Sequence, residues 1–244
     1  MLVIDSLRKT FYDPSRGAVA AVDGIDLEAH PGTVIALAGA NGAGKTTLLR
    51  LIATLLEPDS GRILVDGIDA VTDPLALRRR IGFLSQSTRL YPRLSGREML
   101  AYAAGFFDLR GPDLTQAIAR IVDRLDLGAF LDQRCAHLST GQAQRINIAR
   151  TLITEPPLLI LDEPTTGLDL AAARQVIDLI HRARSDGRLL ILSTHIVTEI
   201  EELADRLLIL DHGRLVFDDR PAVLGHGDAL ARAICARMRL EPAS

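Results

Sequence analysis

Val34-Ile35-Ala36-Leu37-Ala38-Gly39-Ala40-Asn41-Gly42-Ala43-Gly44-Lys45-Thr46-Thr47-Leu48-Leu49 is the stretch that decides the fold. Val34 to Leu37 reads as a buried strand, and Gly39 to Thr46 fits the phosphate-loop pattern G-x-x-x-x-G-K-[ST]. The leucines that follow open a helix, which is the context the pattern requires. Glycines at 39, 42 and 44 let successive backbone N–H groups turn inward on phosphate, and the helix N-terminus adds partial positive charge. Lys45 can reach the outer phosphates and Thr46 can offer its hydroxyl to Mg²⁺. Gly39, Ala40, Asn41, Gly42, Ala43, Gly44, Lys45, Thr46 and Thr47 are therefore candidate binding residues. Leu48, Leu51, Ile52, Leu55 and Leu56 form one apolar helical stripe, ended by Glu57-Pro58-Asp59-Ser60-Gly61.

Outward from the loop, the tetrapeptide Leu-Leu-Ile-Leu recurs at 158–161, 189–192 and 207–210. Short unbroken apolar runs suit strands covered on both faces of a parallel sheet. The first two end in Asp162-Glu163 and Ser193-Thr194-His195, at the carboxyl ends where ligands of open α/β sheets collect. Asp162 is placed to hold the magnesium shell. Glu163 is placed to orient, or take a proton from, a water attacking a γ-phosphate. Asp211-His212-Gly213 separates two apolar runs and reads as a hairpin turn, with His212 a turn residue.

The fold class is thus α/β, a phosphate-loop core of mainly parallel sheet flanked by helices. Leu2 to Ile4, Val19 to Leu27, Arg62 to Asp66 and the chain around Gly67 suggest an antiparallel β-subdomain. From about 88 to 155 helical periodicity dominates, as with Leu114, Ile118, Ile121, Val122 and Leu125, which reads as an inserted helical subdomain. From Pro221 to 244, Leu230, Ile234 and Met238 form one stripe with Arg232, Arg237 and Arg239 nearby, the pattern of a closing helix with a solvated basic face.

A chain of 244 residues, 48% of them apolar, suffices for one well-buried domain. Its formal charge of −3 provides no polycation for nucleic acid. No apolar run approaches the roughly 18 residues of a membrane span, and no secretory start is seen, so a cytosolic chain is expected. Cys135 and Cys235 have no partner spacing and read as reduced, partly buried thiols.

Leu138-Ser139-Thr140-Gly141-Gln142 completes the pattern. Alone, Ser139-x-x-Gln142 is a helix capping box. Between a phosphate loop and Asp162-Glu163, it resembles the signature of the nucleotide-binding subunit of ABC transporters, and the likeness runs over nearly the whole chain. That resemblance implies further roles. Gln86 matches the glutamine that joins the metal site to the helical subdomain and the membrane partner. Asp169, in Gly167-Leu168-Asp169, matches the loop that crosses a dimer interface. His195 matches the switch histidine at the γ-phosphate, and Phe11, preferred to Tyr12, the aromatic that stacks on adenine, with packing on the edge of the β-subdomain as the alternative. Thr140 departs from the usual Gly-Gly pair, which leaves its N–H intact if its backbone avoids positive φ. With Leu90-Tyr91-Pro92-Arg93-Leu94, it resembles ATPases of type-2 export systems, sodium-extrusion ones included.

The resemblance implies ATP and Mg²⁺ as cofactors and a head-to-tail dimer with a second copy or a paralogous ATPase. Ser139, Gly141 and Gln142 of one copy would complete the site of the other. Integral membrane permease subunits would be driven from the inner membrane face, docking near Gln86 to Gly96, with Tyr91 and Leu94 either as anchors or as packing within the helical subdomain. A soluble ABC-type ATPase, for example one serving iron–sulfur cluster assembly, is the alternative. The compact block between the two motifs argues against the coiled-coil insertion of chromosome-maintenance ATPases. A single cassette argues against translation-type members.

Overall fold

The three Leu-Leu-Ile-Leu runs are strands of one sheet, and their side chains alternate between two buried layers. The structure, a computed structural model, describes residues 1–15 and 17–238. In chain order its elements are β1 (Leu2–Asp13), β2 (Gly17–Ala29), β3 (Val34–Gly39), α1 (Lys45–Ile52), β4 (Ser60–Val65), β5 (Ile68–Asp69), α2 (Pro74–Arg78) and β6 (Ile81–Leu84). There follow α3 (Gly96–Gly105), α4 (Gly111–Leu125), α5 (Thr140–Leu152), β7 (Leu158–Asp162), α6 (Leu170–Ser185), β8 (Leu189–Ser193), α7 (Val197–Leu203), β9 (Arg206–Asp211), β10 (Arg214–Asp219) and α8 (Asp228–Arg237).

The larger sheet runs β10-β9-β3-β8-β7-β6, parallel except for the β10 edge. Leu158 and Ile160 of β7 pack on one side with Leu189 and Ile191 of β8, Ile35 and Leu37 of β3, and α1. Leu159, Leu161, Leu190 and Leu192 point to the other side, against α4, α5 and α6. Successive residues of a strand face opposite ways, so a strand covered on both sides has to be apolar throughout. The consequence falls at the strand ends: the polar residues are displaced to the carboxyl edge.

The smaller sheet, β2-β1-β4-β5, is antiparallel, as expected for the N-terminal pieces. Its first strand is longer than Leu2 to Ile4. Pairing continues through Arg8↔Asp23 to Asp13↔Gly17, so Phe11 and Tyr12 lie within β1 itself. Three helices, α3, α4 and α5, occupy the stretch read as helical, with Ile118, Ile121 and Leu125 buried and Leu114 and Val122 packed against them. The segment from 88 to 95 is a loop rather than helix.

One expectation is corrected. The Leu48-to-Leu56 stripe does not make one helix, because α1 ends at Ile52 and Thr54 turns left-handed at φ 57°. Leu55 is then thrown outward, 54% exposed, whereas Leu48, Leu51 and Ile52 are buried. Helical spacing predicted a face that the turn abolishes. At the other end, α8 buries Leu230 and Ile234 against Ala36 and Ala38 of β3, with Met238 packed beside them. Arg237 lies over the Phe217 ring at 4.9 Å and Arg232 is exposed. Arg239 lies outside the described residues.

These placements separate two apolar truncations. Ile160→Ala should destabilise by about 2–5 kcal/mol. Leu55→Ala should stay within about 0.5 kcal/mol of the parent. Urea unfolding midpoints at constant m-value check both, and equal losses would show that the helix continues past Ile52 in solution.

Candidate functional site

The phosphate loop leaves β3 at Gly39 and enters α1 at Lys45. Gly44 caps the helix from φ 106°, and a Cβ there would strike the Ala21 carbonyl, so only glycine fits. No side chain caps α1, which leaves its first-turn N–H groups free for an anion. Lys45 Nζ donates to the carbonyls of Gly39 at 2.6 Å and Ala40 at 3.0 Å. Burial pushes the ammonium below its ordinary pKa, and the Glu163 and Asp162 carboxylates oppose that shift. The hairpin expected at Asp211-His212-Gly213 is the β9–β10 turn, with Asp211 paired to Arg214 and both His212 (φ 44°) and Gly213 (φ 78°) left-handed. It does more than turn the chain, for Gly213 N donates to Ala43 O at 2.9 Å and braces the loop from outside.

Asp162 is 5% exposed at the end of β7, in register with Ser193 of β8. Ser193 Oγ donates to its Oδ1 at 2.6 Å, and the Thr46 hydroxyl lies 3.3 Å from Oδ2. A buried carboxylate oxygen turned to a hydroxyl at a phosphate loop is a donor set that suits Mg²⁺, which takes few protein oxygens and prefers phosphate for the rest. Thr46 and Asp162 therefore fit that ion.

Glu163 follows with φ 50°, a left-handed conformation unusual for a side-chain-bearing residue. Its N–H donates to Ser193 Oγ at 3.0 Å and to Ser193 O at 3.2 Å. Its Oε2 accepts from Gln86 Nε2 at 3.1 Å and from Thr166 Oγ1 at 3.0 Å, and its Oε1 is 3.6 Å from His195 Nδ1. The His195 side chain is otherwise open, 64% exposed. Gln86 thus meets Glu163 rather than the Thr46–Asp162 pair. A crevice of about 210 Å³ is lined by Asn41, Gly42, Gly44 to Thr47, Gln86, Asp162 and Glu163. A wider cleft of about 460 Å³, between the Gln86 loop and α5, shares Gln86, Asp162 and Glu163 with it.

Other candidates lie apart. Ser139 and Gln142 form the capping box at the start of α5: Ser139 Oγ accepts from Gln142 N at 3.2 Å, and Gln142 Oε1 accepts from Ser139 N at 2.9 Å. Thr140 keeps an ordinary φ. A Cβ on Gly141 would come 2.7 Å from Ala172 Cβ, so glycine lets α5 approach α6. None of Ser139, Gly141 and Gln142 lines the phosphate crevice of its own chain. Asp169 caps α6, accepting from Ala172 N at 2.8 Å. Phe11 lies outside the crevice, half-exposed on β1 opposite Val19, with Lys9 Nζ 5.8 Å from its ring centre. Leu94 packs into the helical core, while Tyr91 is exposed edge-to-face with Tyr102. Both cysteines are free and partly buried.

Sequence reading placed Ser193 in a strand-end cluster without a role of its own, and missed Thr166 and Gln144 as parts of the site. Gln144 Nε2 donates to Pro164 O at 2.5 Å, joining α5 to the turn after Glu163. Ser193 carried a signal, its place directly before Thr194-His195; for Gln144 and Thr166 only the fold supplies the partner.

The sequence model of the ABC transporter family matches residues 22–166. The chain is 34% identical over 218 residues to the ABC transporter ATP-binding protein NatA of Bacillus subtilis (strain 168), covering 89% of this chain and 88% of that protein. The chain belongs to the ABC transporter family. It is accordingly an ABC-type ATPase with the expected α/β fold. It is also 38% identical over 215 residues to the daunorubicin resistance ATP-binding protein DrrA3 of Streptomyces coeruleorubidus, covering 88% of this chain and 66% of that protein. Among solved structures, an ATP-binding subunit of an ABC transporter superposes with a TM-score of 0.83 at 27% identity, over 96% of this chain and 99% of that one. A dimeric post-hydrolysis state of the ATP-binding cassette MJ0796, bound to ADP and Pi, superposes at 0.79 with 25% identity, over 90% and 98%.

Ser193→Ala removes the donor to a buried carboxylate oxygen and one acceptor for the Glu163 N–H. It should lower stability by about 1–3 kcal/mol in chemical denaturation, and an unchanged midpoint would mean that water replaces the hydroxyl.

Proposed function

We propose that two copies of the chain, or one copy and a paralogue, close on two molecules of ATP and hydrolyse them to drive a separate membrane permease. The supporting observation is the split arrangement of candidate groups. Lys45, Thr46, Asp162, Glu163, Gln86 and His195 converge at the carboxyl edge of the parallel sheet, while Ser139, Gly141 and Gln142 at the capped start of α5 line no part of that crevice. A second copy placed head to tail would bring Ser139, the Gly141 N–H and the start of α5 to the γ-phosphate. Asp169, at the cap of α6, would lie at that junction, and Phe11 would stack on the adenine.

Within one site, Lys45 exchanges the carbonyls of Gly39 and Ala40 for the β- and γ-phosphates. Asn41, Gly42 and the first turn of α1 with Thr47 hold the remaining phosphate oxygens. Thr46 and Asp162 would hold Mg²⁺, which when bound would neutralise charge on the β- and γ-phosphates. Glu163, fixed by Gln86 and Thr166, orients the attacking water and accepts its proton. His195 has the freedom to turn from Glu163 to the γ-phosphate.

Transport rather than a soluble task is supported by relatives named as an ABC transporter ATP-binding protein and a daunorubicin resistance ATP-binding protein, the second of which favours export. Among the described residues no helix is long and apolar enough to cross a membrane. On this reading the permease is a set of integral subunits and the chain sits on their cytoplasmic face. Tyr91, Tyr102 and Phe106 form an exposed edge-to-face series beside a groove of about 230 Å³ lined by Ile81, Phe83, Met99 and Arg150. An apolar permease helix would fit there, with Tyr91 rather than the packed Leu94 as an anchor.

Glu163→Gln should retain ATP binding and lower turnover by roughly 10²-fold or more, accumulating an ATP-bound dimer. Phosphate release and gel filtration with ATP read both effects, and near-normal hydrolysis would exclude Glu163 as the base. Ser139→Ala mixed with Lys45→Ala should restore one complete site per heterodimer. A mixture no more active than either variant alone would exclude composite sites.

A further inference from the structure

Glu199, on α7, belongs to no motif considered so far, yet its carboxylate is buried between two loops of the site. Thr165 Oγ1 donates to Glu199 Oε1 at 2.5 Å, and Thr194 Oγ1 donates to Oε2 at 2.7 Å. The Thr194 hydroxyl in turn accepts from Ile196 N at 3.1 Å. Thr165, Thr194 and Glu199 are all at least nine-tenths buried, and among the described residues no ion pair involves Glu199. Burying a carboxylate without a cation is unfavourable, and an apolar side chain of similar volume would fill the same space.

The placement of its partners gives the group a use. Thr165 lies two residues after Glu163, and Thr194 immediately precedes His195. Thr194 N also donates to Leu37 O at 3.4 Å, tying the same loop to the strand that enters the phosphate loop. The His195 ring itself has little support, being mostly exposed and 3.6 Å from Glu163. A bidentate acceptor between the two loops fixes the spacing that the ring does not fix for itself.

We propose that Glu199 is a positioning residue for ATP hydrolysis, clamping the loop after β7 to the loop after β8 so that His195 and Glu163 are held in register. The role rests on the reading of those two residues given above. Glu199→Gln keeps the shape but replaces one acceptor with a donor, so one hydroxyl must reverse or lose its partner. It should lower kcat by about 10- to 100-fold, because small misplacements at a reacting centre act on the transition state. ATP affinity, read with a fluorescent ATP analogue, should change by less than about twofold, since no phosphate contact is touched.

The decisive measurement repeats Glu199→Gln in the His195→Ala background. If the clamp acts through His195, the second change lowers residual hydrolysis no further; an equal fold-loss in both backgrounds, or an unchanged kcat in the parent, overturns the proposal. Should Glu199→Gln fail to fold, Thr165→Val removes one donor from the same carboxylate and is read in the same two backgrounds. Parent-like hydrolysis by Glu163→Gln and His195→Ala would defeat the reading of the site and the clamp with it. Suppressed hydrolysis in those two, beside parent-like rates for Glu199→Gln and Thr165→Val, would defeat the clamp alone.

Discussion

The hydrogen bond from Ser193 to Asp162 is the contact on which the rest of the site depends. Asp162 ends a strand with apolar layers on both sides, so its carboxylate needs a partner from the neighbouring strand or a cation. Parallel register supplies Ser193 directly opposite. With one oxygen so occupied, the other turns to Thr46, and the serine hydroxyl also takes the Glu163 N–H. One side chain thus orders both acids with respect to the phosphate loop.

Local features were legible because their causes are local. The phosphate loop depends on glycine conformation and on the strand and helix at its two ends, all within sixteen consecutive residues. The Leu-Leu-Ile-Leu runs announce two-sided burial, and Ser139-x-x-Gln142 announces a capped helix that the structure contains. Leu55 was misread because periodicity does not register a single left-handed residue at Thr54. The contacts of Glu163 with Gln86, and of Glu199 with Thr165 and Thr194, span 77, 34 and 5 residues of chain. The first two pairs depend on strand order and register, which no spacing rule encodes.

Glu163 itself stores part of the cost of this arrangement. A left-handed backbone at a residue with a side chain costs on the order of 1–3 kcal/mol. Its N–H is held by Ser193, and the turn is closed by Thr166 N donating to Glu163 O at 3.3 Å. The strained turn aims the carboxylate back over the strand ends, where an extended residue would carry it past them. Gln144, reaching Pro164 O, makes the start of α5 sensitive to that same turn.

The capping box at α5 has a further electrostatic meaning. The two acceptor oxygens are committed internally, Gln142 Oε1 to Ser139 N and Ser139 Oγ to Gln142 N, which leaves the Ser139 O–H and the Gln142 Nε2 group as donors. For the helix alone, glutamate at 142 would close the same box and add favourable interaction with the helix dipole. A neutral amide is the weaker choice for stability. It is the better choice for a helix end that has to receive polyphosphate from another molecule, because glutamate would place a fixed negative charge where an anion must dock. If the proposed composite site forms, residue 142 balances a rigid helix start against a surface kept free of negative charge, and its neutrality would be the mark of the partner within a single chain.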